Sequence, residues 1–535
     1  MLVTLFATQA AAMLSSRSGS VQPVVIAGGG PAGLAAAMML SRRGYSNITV
    51  LERMSEDEYL KDTDRTYAMA LFPRGSAALA EIGFTLDLEE EGVDNHFANR
   101  TNIRPDGYDG SWMQTKGKKG FYALEKVAKE ARDRGNKTDN FPLTELLKRQ
   151  TLTRLLYKDL MAKYPGVNAV KMVFDAQVIG CDVDLSKTSA SVRYQIASEA
   201  APRTIDAQLV IAADGMNSQI TRSIQESDPA FRLIRLTNES YFAGSPKRYK
   251  VLALPPSFDV EVTTIKKPQR RGLAALFRRR QPDAPVETTT RLHMSPRCQV
   301  VFTPVVPKNE SFSFGCFPTT QKHTRVANLN TPPDHPILSL ASGEELLRYL
   351  ERSIPQWRNV REVVRMDEAE RFVRKKVGRY GTPQYVNQLH VGRVAFVGDA
   401  AHAFPPDLGQ GVNAALEDVA ILGRCMDGAD QLSDALQLYT GMRGPDAAAI
   451  AHLAHRWQLL SATASLFRKI RWRGDFFLRL LLSRLLPFLF DPPVYLMITQ
   501  RELSYAEVWR RARRTSRRLA YVATLVLLAL IQAVL

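Results

Sequence analysis

The sequence predicts an α/β protein: a mostly parallel sheet with helices on its faces, an antiparallel sheet inserted into it, and a helical C-terminal region ending in an apolar tail. Three observations carry this. A strand, a glycine-rich loop, a helix and a second strand follow one another between Pro23 and Glu52. A second strand-loop-helix occupies Val394–Met426, VAFVGDAAHAFPPDLGQGVNAALEDVAILGRCM. Between them, from about 230 to 390, strand-like runs such as YKVLALP, CQVVFTPV and SFSFGCF dominate. With 535 residues and 45% hydrophobic content, the chain can build two or three domains with sizeable cores.

Residues 1–22 carry one charge, Arg17, amid Ala, Ser, Thr, Leu and Met. That composition fits a targeting or unstructured segment, and it is excluded from the fold. Pro23–Ala27 (PVVIA) is a buried strand by its unbroken apolar run. Gly28-Gly29-Gly30-Pro31-Ala32-Gly33 then opens an Ala/Leu/Met-rich helix ending near Gly44, and the strand Ile48–Leu51 delivers Glu52 and Arg53. In this GxGxxG unit the first glycine makes the turn, the second admits a pyrophosphate, and the third lets helix and strand pack. The Glu52 carboxylate can accept both hydroxyls of an adenosine ribose and would repel a 2′-phosphate. Gly28, Gly30, Pro31, Ala32, Gly33, Glu52 and Arg53 are therefore candidate dinucleotide-binding residues.

Further along, Gly75–Ile82 has helical spacing, and residues 96–120 read as loop or β-meander with Arg100, Arg104 and Tyr108. Leu146–Tyr164 is predicted as a helix ending before Pro165. Strand patterns follow at Ala169–Phe174, Val178–Val183, Ala190–Ile196 and Gln208–Ala213, the last reaching an Asp214-Gly215 corner. In the strand-rich stretch one helix, Glu344–Arg352, is predicted. The resulting division is a nucleotide-binding domain at 23–230 and 375–430, a β-rich domain at 231–374, a helical region at 431–518 and a tail at 519–535.

The Val394–Met426 stretch holds the second half of the site. A short strand leads to a Gly398-Asp399 corner, a loop with Pro405 and Pro406, and glycines at a helix start. Backbone N–H groups at Gly409, Gly411, Val412 and Asn413 can approach a ligand closely, and the helix dipole favours partial negative charge there. Together with the first unit, this loop predicts a bound flavin. His402 reads as a corner histidine, and Glu417 and Asp418 as surface or packing carboxylates.

Composition excludes other classes. Four scattered cysteines lack metal-ligand or CxxC spacing, so no metal is expected and free thiols are the default. The net charge of +17 is concentrated at 266–280 and at 468–518, yet no nucleic-acid module is recognisable. The first cluster reads as a solvated loop. The second precedes the apolar Leu519–Leu535, which points to anionic lipid. As a helix that tail is about 25 Å long, slightly short of a hydrocarbon core of about 30 Å. The flanking arginines place the folded body on the cytosolic side. A buried C-terminal helix is the alternative.

Three signatures thus stand in chain order: GGGPAG with Glu52, Ala213-Asp214-Gly215, and Gly398-Asp399-Ala400-Ala401-His402 through Gly409-Gln410-Gly411-Val412-Asn413. Over residues 23–430 this set resembles the class A FAD-dependent aromatic monooxygenases, the hydroxybenzoate-hydroxylase-like family. RTYAMALFPRG, Arg149-Gln150-Thr151-Leu152 and FDPPVYLMITQRELSYAEVWRR are similar to its kynurenine-hydroxylating branch. The resemblance implies a Rossmann-like FAD-binding domain with an inserted antiparallel substrate domain, FAD and NADPH as cofactors, and molecular oxygen as co-substrate. It implies oxygen transfer to a small aromatic through a flavin C4a-hydroperoxide, with L-kynurenine giving 3-hydroxykynurenine as the leading expectation. Arg149 is assigned to the diphosphate and ribose side, Asp399 to the ribityl chain, and Asp214 to both nucleotides. Pro405, Pro406 and Gly409 fall beside the reacting edge of the flavin.

Substrate residues transfer poorly. Arg100, Arg104 and Tyr108 are candidates by type, and Trp457 and Leu460 replace the polar residues that the branch carries in the helix after Arg443-Gly444-Pro445-Asp446. Another aromatic or an isoprenoid substrate is the rival expectation, and a membrane-anchored FAD-binding scaffold is the rival outside enzymes. By resemblance the membrane is the mitochondrial outer membrane.

Overall fold

The computed structural model describes residues 23–534 apart from 62–66, 86–90, 95–98, 106, 110–144, 166–169, 187, 237–246, 267–285, 308–309 and 462–465. The 1–22 segment and most of the 266–280 basic cluster therefore lie outside the described residues.

A six-stranded sheet organises the first core. Its strands run in the order His390–Val391, Val394–Phe396, Leu209–Ala212, Val24–Ala27, Ile48–Leu51 and Lys171–Val173. All pair in parallel except the edge strand His390–Val391. Val24–Ala27 and Leu209–Ala212 are buried at every position, which is why they are unbroken apolar runs rather than alternating ones. The helices Pro31–Arg42 and Gly411–Asp427 cover the sheet with small and branched apolar residues. The loops after Val394–Phe396, Leu209–Ala212, Val24–Ala27 and Ile48–Leu51 consequently emerge side by side at one carboxyl edge.

The second core lies on a seven-stranded sheet ordered Gly378–Arg379, Arg248–Leu254, Arg325–Thr331, Ser313–Cys316, Cys298–Phe302, Asn99–Arg104 and Gly107–Asp109. It is not purely antiparallel: Cys298–Phe302 pairs in parallel with Asn99–Arg104, a strand contributed from the N-terminal third. Phe302 stacks on Phe314 and Trp357 with ring centroids 5.2 and 4.3 Å away. The helix Gly343–Ser353, capped by Ser342, covers this core as expected. Two further helices, Val360–Val363 and Met366–Arg374, were not anticipated. The charge-rich MDEAERFVR segment commits only Glu368, Ala369 and Phe372 to burial, too thin a stripe to read from sequence. The predicted helix over 146–164 is also corrected: Glu145–Lys148 is a strand paired with Ala68–Leu71, and the helix is Arg149–Lys163.

The C-terminal helices are Leu432–Ser461, Leu466–Leu485, Val494–Met497 and Tyr505–Val534. Their shared core (Ile450, Leu453, Met497, Val508) also takes in Leu408 from the proline loop. The tail is not a separate element. It is the distal half of the 30-residue Tyr505–Val534 helix, whose proximal half is strongly basic. Among the described residues no helix is long and apolar enough to cross a membrane, so the expected spanning tail is not found. The distal half does expose Leu525, Val526, Leu527, Leu528, Leu530 and Ile531.

Candidate active site

The glycine loop is built tightly. Gly28 has φ +100°, and a Cβ there would lie 2.5 Å from the Ala213 carbonyl oxygen. A Cβ on Gly33 would lie 1.9 Å from the Gly28 carbonyl oxygen. Both glycines are thus demanded by backbone approach rather than by a ligand. Glu52, 7% exposed, orients the loop: one carboxylate oxygen accepts from the Gly29 N–H at 2.8 Å and the other from the Met54 N–H at 3.0 Å. Lone pairs remain on both oxygens for a ribose. Arg53 is exposed beside it. Tyr59, absent from the sequence reading, donates to the Gly29 carbonyl at 2.6 Å.

Pro31 and Ala32 form the first turn of the Pro31–Arg42 helix, whose N-cap is Gly30, with no side-chain cap and no acidic residue in that turn. The Gly411–Asp427 helix starts the same way, from Gln410 and without a cap. The two helix starts meet at Gly398 (φ +60°), where a Cβ would lie 3.1 Å from the Ala415 Cβ and 3.3 Å from the Ala32 Cβ. Two open helix N-termini therefore flank one corner, an arrangement that favours anionic groups at both.

Asp399 follows that corner. It remains solvent-accessible, yet the surrounding walls desolvate it enough to raise its carboxyl above 3.8, against the opposing pull of His402 and Arg149. Arg149, exposed at the start of its helix, has its Nη2 3.1 Å from the point a Gly30 Cβ would occupy. Its N–H donates to the Tyr67 carbonyl at 3.1 Å. Asp214 accepts from the Gln219 N–H at 2.8 Å through Oδ2, while its buried Oδ1 has no partner, and burial raises its carboxyl. Gly28–Gly33, Glu52, Arg149, Asp214 and Asp399 are thereby gathered at the carboxyl edge. Uncapped helix starts, an orphaned carboxylate oxygen and an accessible acid between them fit FAD.

In the proline loop, Pro405 is buried and Pro406 exposed, and Gly409 has φ +65°. Val412 is half-buried at the helix start. The Asn413 side chain is taken up by the fold. It is fully buried, its Oδ1 accepts from the Phe72 N–H at 2.7 Å, and its Nδ2 donates to the Ala70 and Gly409 carbonyls at 2.9 and 3.0 Å. Its side chain ties the loop to the Ala68–Leu71 strand, leaving only its backbone N–H for a ligand.

Of the two readings of Asp418, surface or packing carboxylate, the structure takes the second. At 0% exposure Asp418 accepts from the Gly398 N–H at 2.8 Å, His402 Nε2 at 2.7 Å and Arg443 Nε at 2.7 Å. Burial alone would raise its carboxyl, but His402 and Arg443 outweigh it and hold it low. His402 is buried at this corner, held by Asp418.

The substrate candidates do not converge in one cluster. Arg104 and Tyr108 are exposed on the hairpin at the end of the seven-stranded sheet, and the Arg100 side chain lies outside the described residues. Trp457 packs instead among the C-terminal helices, stacked on Tyr495 at 6.0 Å and edge-on to Trp472 at 5.6 Å. A wall that sequence reasoning missed comes from the large sheet: Tyr249 stacks on Tyr380 at 4.8 Å, and a Cβ on Gly378 would strike the Tyr249 ring at 2.3 Å. Burial, and then the neighbouring Tyr249, Asp407 and Tyr67, push the Tyr380 phenol up. Only the glycine at 378 hints at them in sequence.

A family described as FAD binding domain matches residues 22–293 and 356–443. A kynurenine 3-monooxygenase of Salinispora arenicola is 25% identical over 510 residues, covering 92% of this chain and 91% of that protein. Another from Xanthomonas campestris pv. campestris is 24% identical over 441 residues, 82% of this chain and 79% of that one. Among solved structures, a Klebsiella pneumoniae HpxO variant complexed with FAD has a TM-score of 0.51 at 17% identity, covering 85% of this chain and 94% of that one. Tetracycline destructase Tet(55) has a TM-score of 0.50 at 14% identity, covering 86% and 96%. The chain belongs to the FAD-binding-domain family and is a class A flavin-dependent aromatic monooxygenase.

Proposed function

We propose that the chain hydroxylates an amino-acid-bearing aromatic, L-kynurenine to 3-hydroxykynurenine, with FAD, NADPH and molecular oxygen. The observation that carries this reading is the similarity to kynurenine 3-monooxygenases across 92% of the chain. Bound FAD, reduced by NADPH, supplies the oxygen activation.

The chain's own residues have distinct tasks. Gly30, Ala32 and Gly33 present backbone N–H groups to the diphosphate, Gly28 makes the turn before them and Pro31 opens the helix; Glu52 and Arg53 hold the adenosine end. Arg149 offsets diphosphate charge, and Asp399 accepts from the ribityl hydroxyls. Asp214 lies where both nucleotides can meet. The N–H groups at Gly411, Val412 and Asn413 stabilise negative charge on the flavin ring edge, and Gly409, whose N–H donates to the Pro406 carbonyl, turns the chain into that helix start. Pro405 and Pro406 form a wall that carries no N–H and excludes water.

Arg104, Tyr108 and Arg100 are the proposed carboxylate contacts. Trp457 favours a second reading, a more apolar aromatic substrate, because it fills with rings a region where the kynurenine branch carries polar groups. A panel of aromatics decides between them through NADPH consumption. Stimulation by L-kynurenine with formation of 3-hydroxykynurenine is expected; stimulation only by aromatics lacking the amino-acid group would overturn the substrate. The exposed leucines of the distal C-terminal helix support peripheral attachment to a membrane, the mitochondrial outer membrane by resemblance. Co-sedimentation with membrane vesicles that is undiminished by truncation after Arg518 would defeat that attachment.

A further inference from the structure

The Pro405–Gly411 turn has two sides. One faces the cleft. The other is sealed by the C-terminal region, where Leu408 packs with Ile450, Met497, Tyr505 and Val508. Gln410, the residue before the helix start, is fully buried on that second side. Its Oε1 accepts from the Tyr505 hydroxyl at 3.0 Å. Tyr505 is the first residue of the C-terminal helix, 0% exposed, and its ring lies against the Arg74 guanidinium at 4.2 Å and the Arg443 guanidinium at 5.3 Å. Burial raises its phenol, so it remains a donor at any working pH.

A second route runs in parallel. The Ala506 N–H donates to Asp446 at 2.7 Å, Arg443 joins Asp446 to Asp418, and Asp418 holds the Gly398 N–H. The start of the C-terminal helix thus grips both ends of the loop that carries Asp399 and the helix N-terminus. Of the two grips, only the tyrosine hydroxyl can be removed without disturbing a buried charge.

We propose that Tyr505 is a positioning residue for the flavin loop: its hydroxyl fixes Gln410 and, through it, the aim of the N–H groups at 411–413. This rests on the reading that those N–H groups face the flavin. A helix N-terminus stabilises the anionic, reduced form of a ring set against it. A turn whose Gln410 is released from Tyr505 does so less well and admits water. The productive reaction consumes NADPH, a proton, oxygen and the aromatic, and yields NADP, water and the hydroxylated ring. The unproductive one consumes the same NADPH, proton and oxygen and yields NADP and hydrogen peroxide.

Tyr505→Phe in the full-length holoenzyme keeps the ring between the arginines and removes only the loop contact. We expect a more negative midpoint potential of the bound FAD and a peroxide share of NADPH consumption about fivefold higher, the equivalent of one hydrogen bond. Val508→Ala, in the same helix and core but without a polar tie to the loop, should lower the melting temperature and leave the potential unchanged. A wild-type potential in Tyr505→Phe, or an equal shift in Val508→Ala, would overturn the proposal. Should Tyr505→Phe fail to retain FAD, Gln410→Met, which removes the acceptor instead, must shift the potential in the same direction; a wild-type value there also overturns it. The potential is read without substrate, so failure to hydroxylate any aromatic would refute the substrate reading alone.

Discussion

The 28–33 loop draws its support from its own neighbourhood. Gly33 closes on Gly28, Glu52 and Tyr59 hold Gly29, and every one of these residues falls within one strand-helix-strand unit and the short helix after it. The 398–411 loop offers the same chemistry, an open helix start beside a carboxylate, but its supports come from Ala70, Phe72, Arg443 and Tyr505, scattered over the whole chain. A ligand site can thus be preorganised locally or by long-range ties, and only the first kind leaves a compact motif. The long-range kind makes the site depend on the integrity of distant elements.

Four substitutions probe that contrast, beginning with the most damaging. Gly33→Ala forces a methyl against the Gly28 carbonyl and should weaken FAD binding by at least about a hundredfold, read by flavin fluorescence titration. An affinity within tenfold of wild type would show that the loop yields more than its packing implies. Arg443→Met leaves Asp418, Glu417 and Asp446 without their common cation and should cost about 3–5 kcal/mol in urea unfolding. In the parent chain the depressed Asp418 carboxyl contributes stability above 3.8 that is lost as pH falls through its lower folded value. Arg443→Met should move that loss to higher pH.

Asp399→Asn should weaken FAD binding about tenfold through loss of a charged acceptor. Its carboxyl is raised by desolvation, so the folded state carries a cost at neutral pH that is relieved as pH falls toward 3.8. The FAD-free variant should therefore be more stable than the parent at neutral pH, with the gain vanishing in acid; a pH-independent difference in melting temperature would contradict this. Tyr59→Phe leaves the Gly29 carbonyl without its donor and should cost about 1 kcal/mol in denaturant unfolding. A loss as large as that of Arg443→Met would erase the distinction between the two loops.

The parallel core was legible because its strands are fully buried and the Gly33–Gly28 contact is a steric rule operating over a few residues that the motif encodes. The second sheet was legible as strand-rich but not in its topology, since nothing local in Asn99–Arg104 announces a parallel partner at Cys298–Phe302. Asp418 reads as a surface or a packing carboxylate because its neighbours in sequence are helical and mixed; its burial follows from Arg443 and His402 arriving from elsewhere. Gln410 and Tyr505 were silent for the same reason. The basic proximal half of the last helix concealed that it is continuous with the apolar half, because composition changes along a helix without breaking it.

That continuity has a mechanical consequence. At a rise of about 1.5 Å per residue, the Tyr505–Val534 helix is a rod roughly 45 Å long, with one end wedged beneath the cofactor cleft and the other bare. A rod of this kind transmits torque as well as displacement. Inserting a single residue between Arg510 and Arg518 would leave Tyr505 in place but turn the leucine stripe by about 100°. The angular register of those few arginines therefore sets which way the cleft faces relative to any surface the far end touches.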